Sequence, residues 1–278
     1  MTATFGEDAV RACELHEAQA WRECVEGCAG AEGNPLRTEV ASVSGTPVPV
    51  VAALDFALFN RVIGLGIAAP ANDAQLDGIQ DAYSTRGQNN WAVSLSPIAR
   101  PDDLAARLEQ RGMARAGDFA KVVRRSDAAQ DAETDLRVEE VGREHAGAFA
   151  PVNVAAWGVP DAFSPWFAGT VGRDGWRHYI AFDGDDPVST GALFVSDGIV
   201  WLGFAATLSS HRNRGGQGAI MARRIRDAAE LGCDLVHTET GAETADEPNP
   251  SYRNMIRAGF ELVYLRPNYA TRAQMEGQ

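Results

Sequence analysis

The first half of the chain combines two hydrophobic patterns. Apolar residues recur every three or four positions over 7–28, 73–86 and 101–111, which predicts three helices. Short apolar runs bounded by turn-forming residues lie between these helices and predict strands. The predicted strands of this half are 38–43, 47–54, 56–63, 91–95 and 119–124.

A polar, acidic segment without apolar periodicity, 128–134, is interpreted as a linker before the second half. Beyond it, the turns Gly184-Asp185-Asp186 and Ser196-Asp197-Gly198 separate three apolar runs, which predicts an antiparallel meander. The predicted strands are 136–141, 178–183, 188–195, 199–207, 235–240 and 262–266, and the predicted helices are 143–157, 163–171, 216–231 and 251–258. These elements predict an α/β fold of the mixed α+β kind, with mostly antiparallel central sheets flanked by helices.

The two halves repeat one order of elements: strand, glycine-bearing loop, helix, strand, helix, strand. Gly66 and Gly112 are 46 positions apart, and Gly215 and Gly259 are 44 positions apart. We interpret the repetition as an internal duplication with domains 1–127 and 135–278. Few residues are identical between the halves, so a chance similarity of element order is the alternative.

Composition and charge narrow the class of protein. Hydrophobic residues are 45% and charged residues 23% of the 278, which is typical of a folded globular protein. The net charge of −13 excludes nucleic acid as an expected partner, although it could attract cationic small molecules or peptides. No apolar run reaches membrane-spanning length, and the acidic start with Glu7 and Asp8 is unlike a signal peptide, so a cytoplasmic location is expected.

The four cysteines predict no metal site. They form no CxxC pair, and no histidine lies at metal-ligand spacing from them. Cys24 and Cys28 are one helical turn apart, so a shared thiol site is the alternative to the expected packed, reduced thiols.

The densest chemical signal is 205–219, a strand that runs through a glycine-rich turn into a helix. The first turn of a helix leaves backbone N–H groups unpaired, and glycines let an anion approach them closely. Five arginines lie within 212–226 of this acidic chain, which favours an anionic ligand. The alternative for Arg223, Arg224 and Arg226 is a solvated helix face. A Walker P-loop is excluded because Lys121 is the only lysine, and the glycine spacing does not fit a dinucleotide fingerprint.

Two ordered motifs carry a resemblance to a known family. Arg212-x-x-Gly215-x-Gln217, followed by Ala219, resembles the Q/R-x-x-G-x-G/A coenzyme A motif of the GCN5-related N-acetyltransferases (GNAT). The segment 249–254, which leads into Ala258-Gly259-Phe260, resembles the late N…GF segment of that family. Gln217 departs from the pattern, because the family usually has glycine or alanine there.

The resemblance implies acetyl-CoA as the cofactor, and it implies a position for each part of it. The strand end would bind the pantetheine arm and the helix start the pyrophosphate. The implied cofactor-binding residues are Ala205, Ala206, Thr207, Arg212, Asn213, Arg214, Gly215, Gly216, Gln217, Gly218 and Asn249. The implied acceptor-substrate wall is Trp157, Phe163 and Trp166, for which ordinary core packing is the alternative.

The resemblance also implies an acid and a base for acyl transfer. Glu239 is the first candidate base and His237 the second, with a strand-end acid and a packed histidine as the alternatives. Tyr252 is the candidate proton donor, because Met255 and Ile256 stand where the family often places a tyrosine.

The sequence therefore predicts a tandem GNAT-like protein with a degenerate first half and an acetyltransferase in the second. It would transfer acetyl to the amine of a small molecule or peptide, with the acceptor and the oligomeric state left open. The missing tyrosine and the absence of Asp or Glu from 199–210 keep a non-catalytic acyl-CoA-binding or ligand-sequestering protein as the alternative. A transferase that uses another anionic donor is a further alternative.

Overall fold

The computed structural model describes residues 4–127 and 132–271, which form two compact units. The first unit comprises Met1–Lys121, Glu239–Asn249 and Leu262–Gln278, and the second comprises Val122–Thr238 and Pro250–Glu261. The division differs from the predicted domains 1–127 and 135–278, because two later segments pack with the first unit. The role of the first half as a degenerate copy stays a prediction.

The first unit combines a hairpin, short strands and three helices. Its elements are α1 (Glu7–Ala29), β1 (Thr38–Val43), β2 (Thr46–Val51), β3 (Arg61–Ile63), α2 (Asp73–Ser84), β4 (Ala92–Ser94), α3 (Leu104–Gln110), most of β5 (Ala114–Arg125) and most of β11 (Glu261–Ala270). β1 and β2 pair antiparallel, with Thr38 opposite Val51. β4 pairs in parallel with β3 and antiparallel with β11, so this part of the sheet is mixed.

The predicted strand 56–63 is wrong over its first half. The backbone N–H groups of Phe59 and Asn60 both donate to Phe56 O, which closes a turn. The Asn60 side chain takes the place of a neighbouring strand as hydrogen-bond partner. Its Oδ1 accepts from Val51 N at 2.7 Å, and its Nδ2 donates to Leu54 O at 3.0 Å. Asn is favoured in such turns because its amide replaces backbone partners.

The second unit is an antiparallel meander with helices on it. Its elements are β6 (Arg137–Val141), α4 (Ala146–Trp157), α5 (Ser164–Ala168), β7 (Trp176–Asp183), β8 (Asp186–Ser196), β9 (Ile199–Thr207), α6 (Gly216–Glu230), most of β10 (Leu235–Gly241) and α7 (Pro250–Arg257). The order β10-β9-β8-β7-β6 confirms the predicted meander, and β10 runs parallel to β9. The protein thus has a mixed α+β fold with mostly antiparallel strand pairs.

The helices of the second unit fit onto the meander through small residues and aromatic rings. α6 packs against β7, β8 and β9, and α4 packs against β8 and β9. At Gly191 of β8, an added Cβ would lie 2.7 Å from Ile220 Cγ2, so only glycine lets α6 approach this closely. Trp176, Trp201 and Phe204 pack together in the sheet's aromatic core, with ring centroids 5.8–6.1 Å apart.

The linker, the cysteines and the search for metal groups and membrane-spanning helices concern the remaining predictions. Of the predicted linker 128–134, residues 128–131 lie outside the described residues, and Thr134 Oγ1 donates to Arg214 O at 2.7 Å. All four cysteines are buried, and none of them forms a disulfide within the described residues. Over residues 4–127 and 132–271, no three His, Cys, Asp or Glu side chains form a metal-binding group, and no helix has the length and apolar character needed to cross a membrane.

Candidate functional site

A cleft opens in the second unit where β9 and β10 separate. The two strands pair only from Ile199 opposite Leu235 to Trp201 opposite His237. Beyond this point Leu202 lines one side of the cleft and Thr238 the other, and Thr238 Oγ1 donates to Leu202 O at 2.7 Å. The cleft has a volume of about 690 Å³, within the range of small-molecule binding sites.

A bulge shapes the β9 wall of this cleft. Thr190 lies opposite Ala206, but Ala192 lies opposite Gly203, so the register of β8 and β9 shifts between them. Phe204 takes up the shift with a φ of 53°, an uncommon value for a residue with a side chain. A bulge bends its strand and re-aims the residues after it. Ala205, Ala206 and Thr207 follow the bulge, and all three line the cleft.

The start of α6 forms the end of the cleft. Gly215 is the N-terminal flanking residue, with a φ of 79°, and an added Cβ would lie 2.0 Å from Glu133 O. Glycine is therefore required there for both conformation and space. Among the described residues no side chain caps this helix end, and no acidic residue lies in its first turn, so the N–H groups and the positive end of the helix dipole are left for a ligand.

The cleft lining is basic although the chain is acidic. It contains Arg212, Arg224, Arg257 and His211, and no Asp or Glu is among the described residues that line it. The net charge of the whole chain is −13. A cleft of one sign concentrates ions of the opposite sign, so this cleft is suited to an anionic ligand.

Most of the predicted cofactor residues lie in this lining, including Asn213, Gly216 and Gly218. Arg214 does not line it. Its guanidinium is 2.6 Å from one oxygen of Asp183 and also binds Asp135, and these hydrogen bonds raise the pKa of Arg214. Arg214 therefore neutralises two carboxylates of its own unit, and its contact with a cofactor stays a prediction.

The side chain of Gln217 does not block the start of α6. Its side-chain nitrogen lies 2.8 Å from Ser189 Oγ, 3.0 Å from Thr190 O and 2.5 Å from Ala206 O. The amide is thus directed at β8 and β9 and ties the start of α6 to the sheet. This placement explains how a larger residue is accommodated where the family usually has glycine or alanine.

The predicted catalytic residues do not meet in the cleft, because none of them is part of its lining. Glu239 belongs to the first unit, where its carboxylate accepts from Arg61 at 2.6 Å and from Arg266. Both of these guanidinium groups bind the carboxylate directly. His237 is fully buried, and Tyr252 is half-buried on α7. Their catalytic roles stay predictions.

Only one of the three residues of the predicted substrate wall lines the cleft. Trp157 lines the cleft, and its indole N–H donates to Ala205 O at 3.4 Å. Phe163 and Trp166 are each 1% exposed and do not line it, which favours the packing alternative for these two. Asn249 lies in the first unit, where its side-chain amide donates to Gly241 O at 2.7 Å and Thr240 Oγ1 at 3.1 Å.

Some lining residues were missed by sequence reasoning. Thr238 and Met221 carry no local motif, and only the separation of the strands and the packing of α6 bring them to the cleft. Arg224 was assigned to an arginine cluster whose alternative was a solvated face. It is instead 1% exposed, and Nη1 donates to Ala192 O and Gly203 O.

The geometry agrees with known structures. No family model and no curated protein sequence matches this chain. A GCN5-related N-acetyltransferase from Kribbella flavida superposes with a TM-score of 0.61 at 20% identity, covering 91% of this chain and 94% of that one. The chain has the GNAT fold. A GNAT protein from Sphaerobacter thermophilus gives a TM-score of 0.56 at 18% identity over 72% of this chain and 66% of that one.

A tandem GNAT protein from the clavulanic acid biosynthesis pathway also superposes, with a TM-score of 0.53 at 13% identity over 76% of this chain and 74% of that one. Identities of this size concern the fold and not the activity. The GNAT fold predicted from the two motifs is therefore confirmed, whereas the tandem arrangement of this chain stays a prediction.

Proposed function

We propose that the second unit binds acetyl-CoA in the cleft between β9 and β10 and transfers the acetyl group to an amine. The observation that carries this proposal is the combination of an uncapped, glycine-bounded α6 start with an arginine-bearing lining free of described acids. Backbone N–H groups at a helix start are a general phosphate-binding device. The GNAT fold supports the same cofactor.

The residues present fit the parts of coenzyme A. The N–H groups of Gly216, Gln217 and Gly218 and the exposed Arg212 would hold the pyrophosphate. Beyond Trp201, β9 has no β10 partner in register, so its edge can hydrogen-bond the amides of the pantetheine arm. Coenzyme A supplies the acetyl group as a thioester.

Acetyl transfer forms a bond from the acceptor nitrogen to the carbonyl carbon and breaks the bond from that carbon to sulfur. The thiolate leaves and takes up one proton, and the nitrogen loses one. Because no described carboxylate lines the cleft, we assign the nitrogen's proton to water. The backbone N–H group of Ala205, directly after the bulge, would stabilise the oxyanion.

Calorimetric titration of acetyl-CoA tests the proposal. We expect Arg212→Glu to weaken binding at least tenfold, because it places a carboxylate beside the phosphates. Arg226→Glu is the matched control: it makes the same charge change at an exposed position of α6 outside the cleft, and binding should change less than threefold. Failure of the unaltered protein to bind acetyl-CoA would overturn the proposal. Gly215→Glu is unsuitable, since its Cβ alone would strike Glu133 O.

A non-catalytic acyl-CoA-binding protein is the second candidate. The observation that favours it is the same acid-free lining, together with the ion pairs that hold Glu239. Release of free thiol from acetyl-CoA, followed over a broad panel of amines, separates the two functions. Amine-dependent release supports the transferase, and tight binding without release supports the second candidate.

A further inference from the structure

Arg224 is a buried cation without a counter-ion. It lies in the middle of α6, is 1% exposed, and donates from Nη1 to Ala192 O at 2.9 Å and Gly203 O at 3.2 Å. Among the described residues no carboxylate lies within 4.0 Å of it, and its buried Nε has no hydrogen-bond partner. Its neighbour Arg223, by contrast, binds Asp227 and Glu140. Burial of an unpaired charge is unfavourable, so this arrangement needs an explanation.

The fold makes room for this guanidinium. At Gly191 an added Cβ would lie 2.9 Å from Arg224 Cζ, closer than real Cβ contacts allow. Arg224 thus occupies space that any other residue at 191 would take. It also lines the cleft, close to the strand pair Ala192–Gly203 beside the bulge. Burial lowers the pKa of Arg224 to about 10, which leaves it charged at neutral pH.

Arg224 lies apart from the start of α6, where the phosphates of the donor are proposed to bind. Arg224 follows Gly216 by eight residues, which is about 12 Å along a helix. Gln217 binds Thr190 O and Ala206 O, which are two and three residues from the carbonyls that Arg224 holds, or about 7–10 Å along the strands. An anion at the start of α6 therefore does not neutralise Arg224.

We propose that Arg224 binds a carboxylate of a substrate in the deep part of the cleft. The inference rests on the proposed function, because it assigns the phosphates of the donor to the start of α6. A guanidinium is a strong, directional partner for a carboxylate. The carboxylate has two sources: the far end of the acyl group, as in succinyl-CoA, or an amino acid that serves as acceptor.

The donor arm of the test compares succinyl-CoA with butyryl-CoA, which carries a methyl group in place of the carboxylate. Calorimetry on the unaltered protein should show at least tenfold tighter binding of succinyl-CoA if the acyl group is the source. The acceptor arm compares the kcat/KM of each common amino acid with that of its amide, corrected for the fraction of neutral amine. A tenfold preference for the acids identifies the acceptor as the source.

Variants of Arg224 test whether this residue causes the preference for a carboxylate. Arg224→Met should abolish the preference for the carboxylate, whereas Arg224→Lys should keep part of it. Arg226→Met, at the exposed position of the same helix, should keep all of it. If Arg224→Met does not fold, the lysine variant and the unaltered protein still decide the matter.

Two outcomes contradict the proposal in different ways. Equal binding of both thioesters, together with equal use of acids and amides, overturns the assignment of Arg224 alone. Failure of every thioester to bind overturns the proposed function and the assignment with it.

Discussion

Arg266 in the first unit and Arg224 in the second are two buried arginines with opposite kinds of surroundings. In the first unit, Glu14 and Glu17 of α1 bind Arg266, which also binds Glu239, and all four of these side chains are at most 10% exposed. Arg61 binds Glu17 and Glu239, and Lys121 binds Glu17, so three cations face three carboxylates. In the second unit, Arg224 has two carbonyl oxygens and no described carboxylate.

The difference teaches how to separate structural charges from candidate ligand-binding ones. A buried charge whose partners are complete is explained by the fold, and removing one partner leaves the others unpaired. A buried charge without a counter-ion in a cleft is not explained by the fold. Such groups point to a ligand, provided that geometry supports the same reading.

The largest expected effect is that of breaking the paired network. Arg266→Met should lower the free energy of unfolding by about 3–5 kcal/mol, because it leaves Glu14, Glu17 and Glu239 without their shared cation. Denaturant unfolding measures this. Arg115→Met is the control: this guanidinium is 58% exposed and pairs with Asp118, so it should cost less than about 1 kcal/mol. A cost below 1 kcal/mol for Arg266→Met would break the comparison.

The next largest effect concerns a buried histidine of the second unit, His178, which titrates. Burial lowers the pKa of His178 from 6.5 to about 3, and its Nε2 lies 3.0 Å from Thr170 Oγ1. The unfolded state therefore binds a proton below about pH 6.5 that the folded state does not. The stability that the neutral His178 contributes is fully present above that pH. As the pH falls, the free energy of unfolding decreases, by about 2–3 kcal/mol at about pH 4.5.

His178→Gln tests this, because glutamine keeps a polar partner for Thr170 and does not titrate. The loss of stability between about pH 7.5 and pH 4.5 should shrink by the same 2–3 kcal/mol in urea unfolding. The paired charges of the first unit affect stability only at lower pH. Burial would raise the pKa of Glu17, but Arg266, Lys121 and Arg61 outweigh this and hold it well below 4.5. The contribution of Glu17 to the free energy of unfolding is therefore lost only below that pH. An unchanged profile for His178→Gln would contradict the assignment.

A smaller effect is expected from closing the space beside Arg224. In Gly191→Ala the new Cβ would crowd Arg224 Cζ and Ile220 Cγ2. We expect a cost of about 1–3 kcal/mol in unfolding free energy, as for overpacked cores, and loss of the carboxylate preference. Retention of full preference would show that the guanidinium does not need this position.

The smallest effect on stability is expected from Arg224→Met. Removing the desolvated charge offsets the loss of hydrogen bonds to Ala192 O and Gly203 O, so unfolding free energy should change by less than about 2 kcal/mol in either direction. Thermal and denaturant unfolding measure the difference. A loss as large as that of Arg266→Met would make Arg224 a structural residue and remove the contrast between the units.

Sequence reasoning located the strand and the helix that form the site. The predicted strand 199–207 and the start of the helix at Gly216 coincide with the structure, because turn glycines and apolar periodicity act locally. The cleft itself could be predicted only in part. Thr238 and Met221 line it through packing between elements far apart in the chain.

The surroundings of Glu239 illustrate why the rest could not be predicted. Its residue type and strand-end position suit a base, but its partner Arg61 is 178 residues away in the chain. The pattern of α1 is misleading in the same way: Glu14 and Glu17 are fully buried, while Leu15 is 40% exposed. No local rule places two carboxylates on the inner face of a helix.

The sequence by itself determined the helices, the meander and the glycine-bounded start of α6, since each follows from side-chain periodicity and from backbone conformations that neighbouring residues impose. Only the tertiary structure decided which charges are paired. Coulomb attraction and desolvation depend on distances through space and on burial, and both arise when remote strands meet. That is why Arg266 and Arg224, two arginines in one sequence, have such different surroundings.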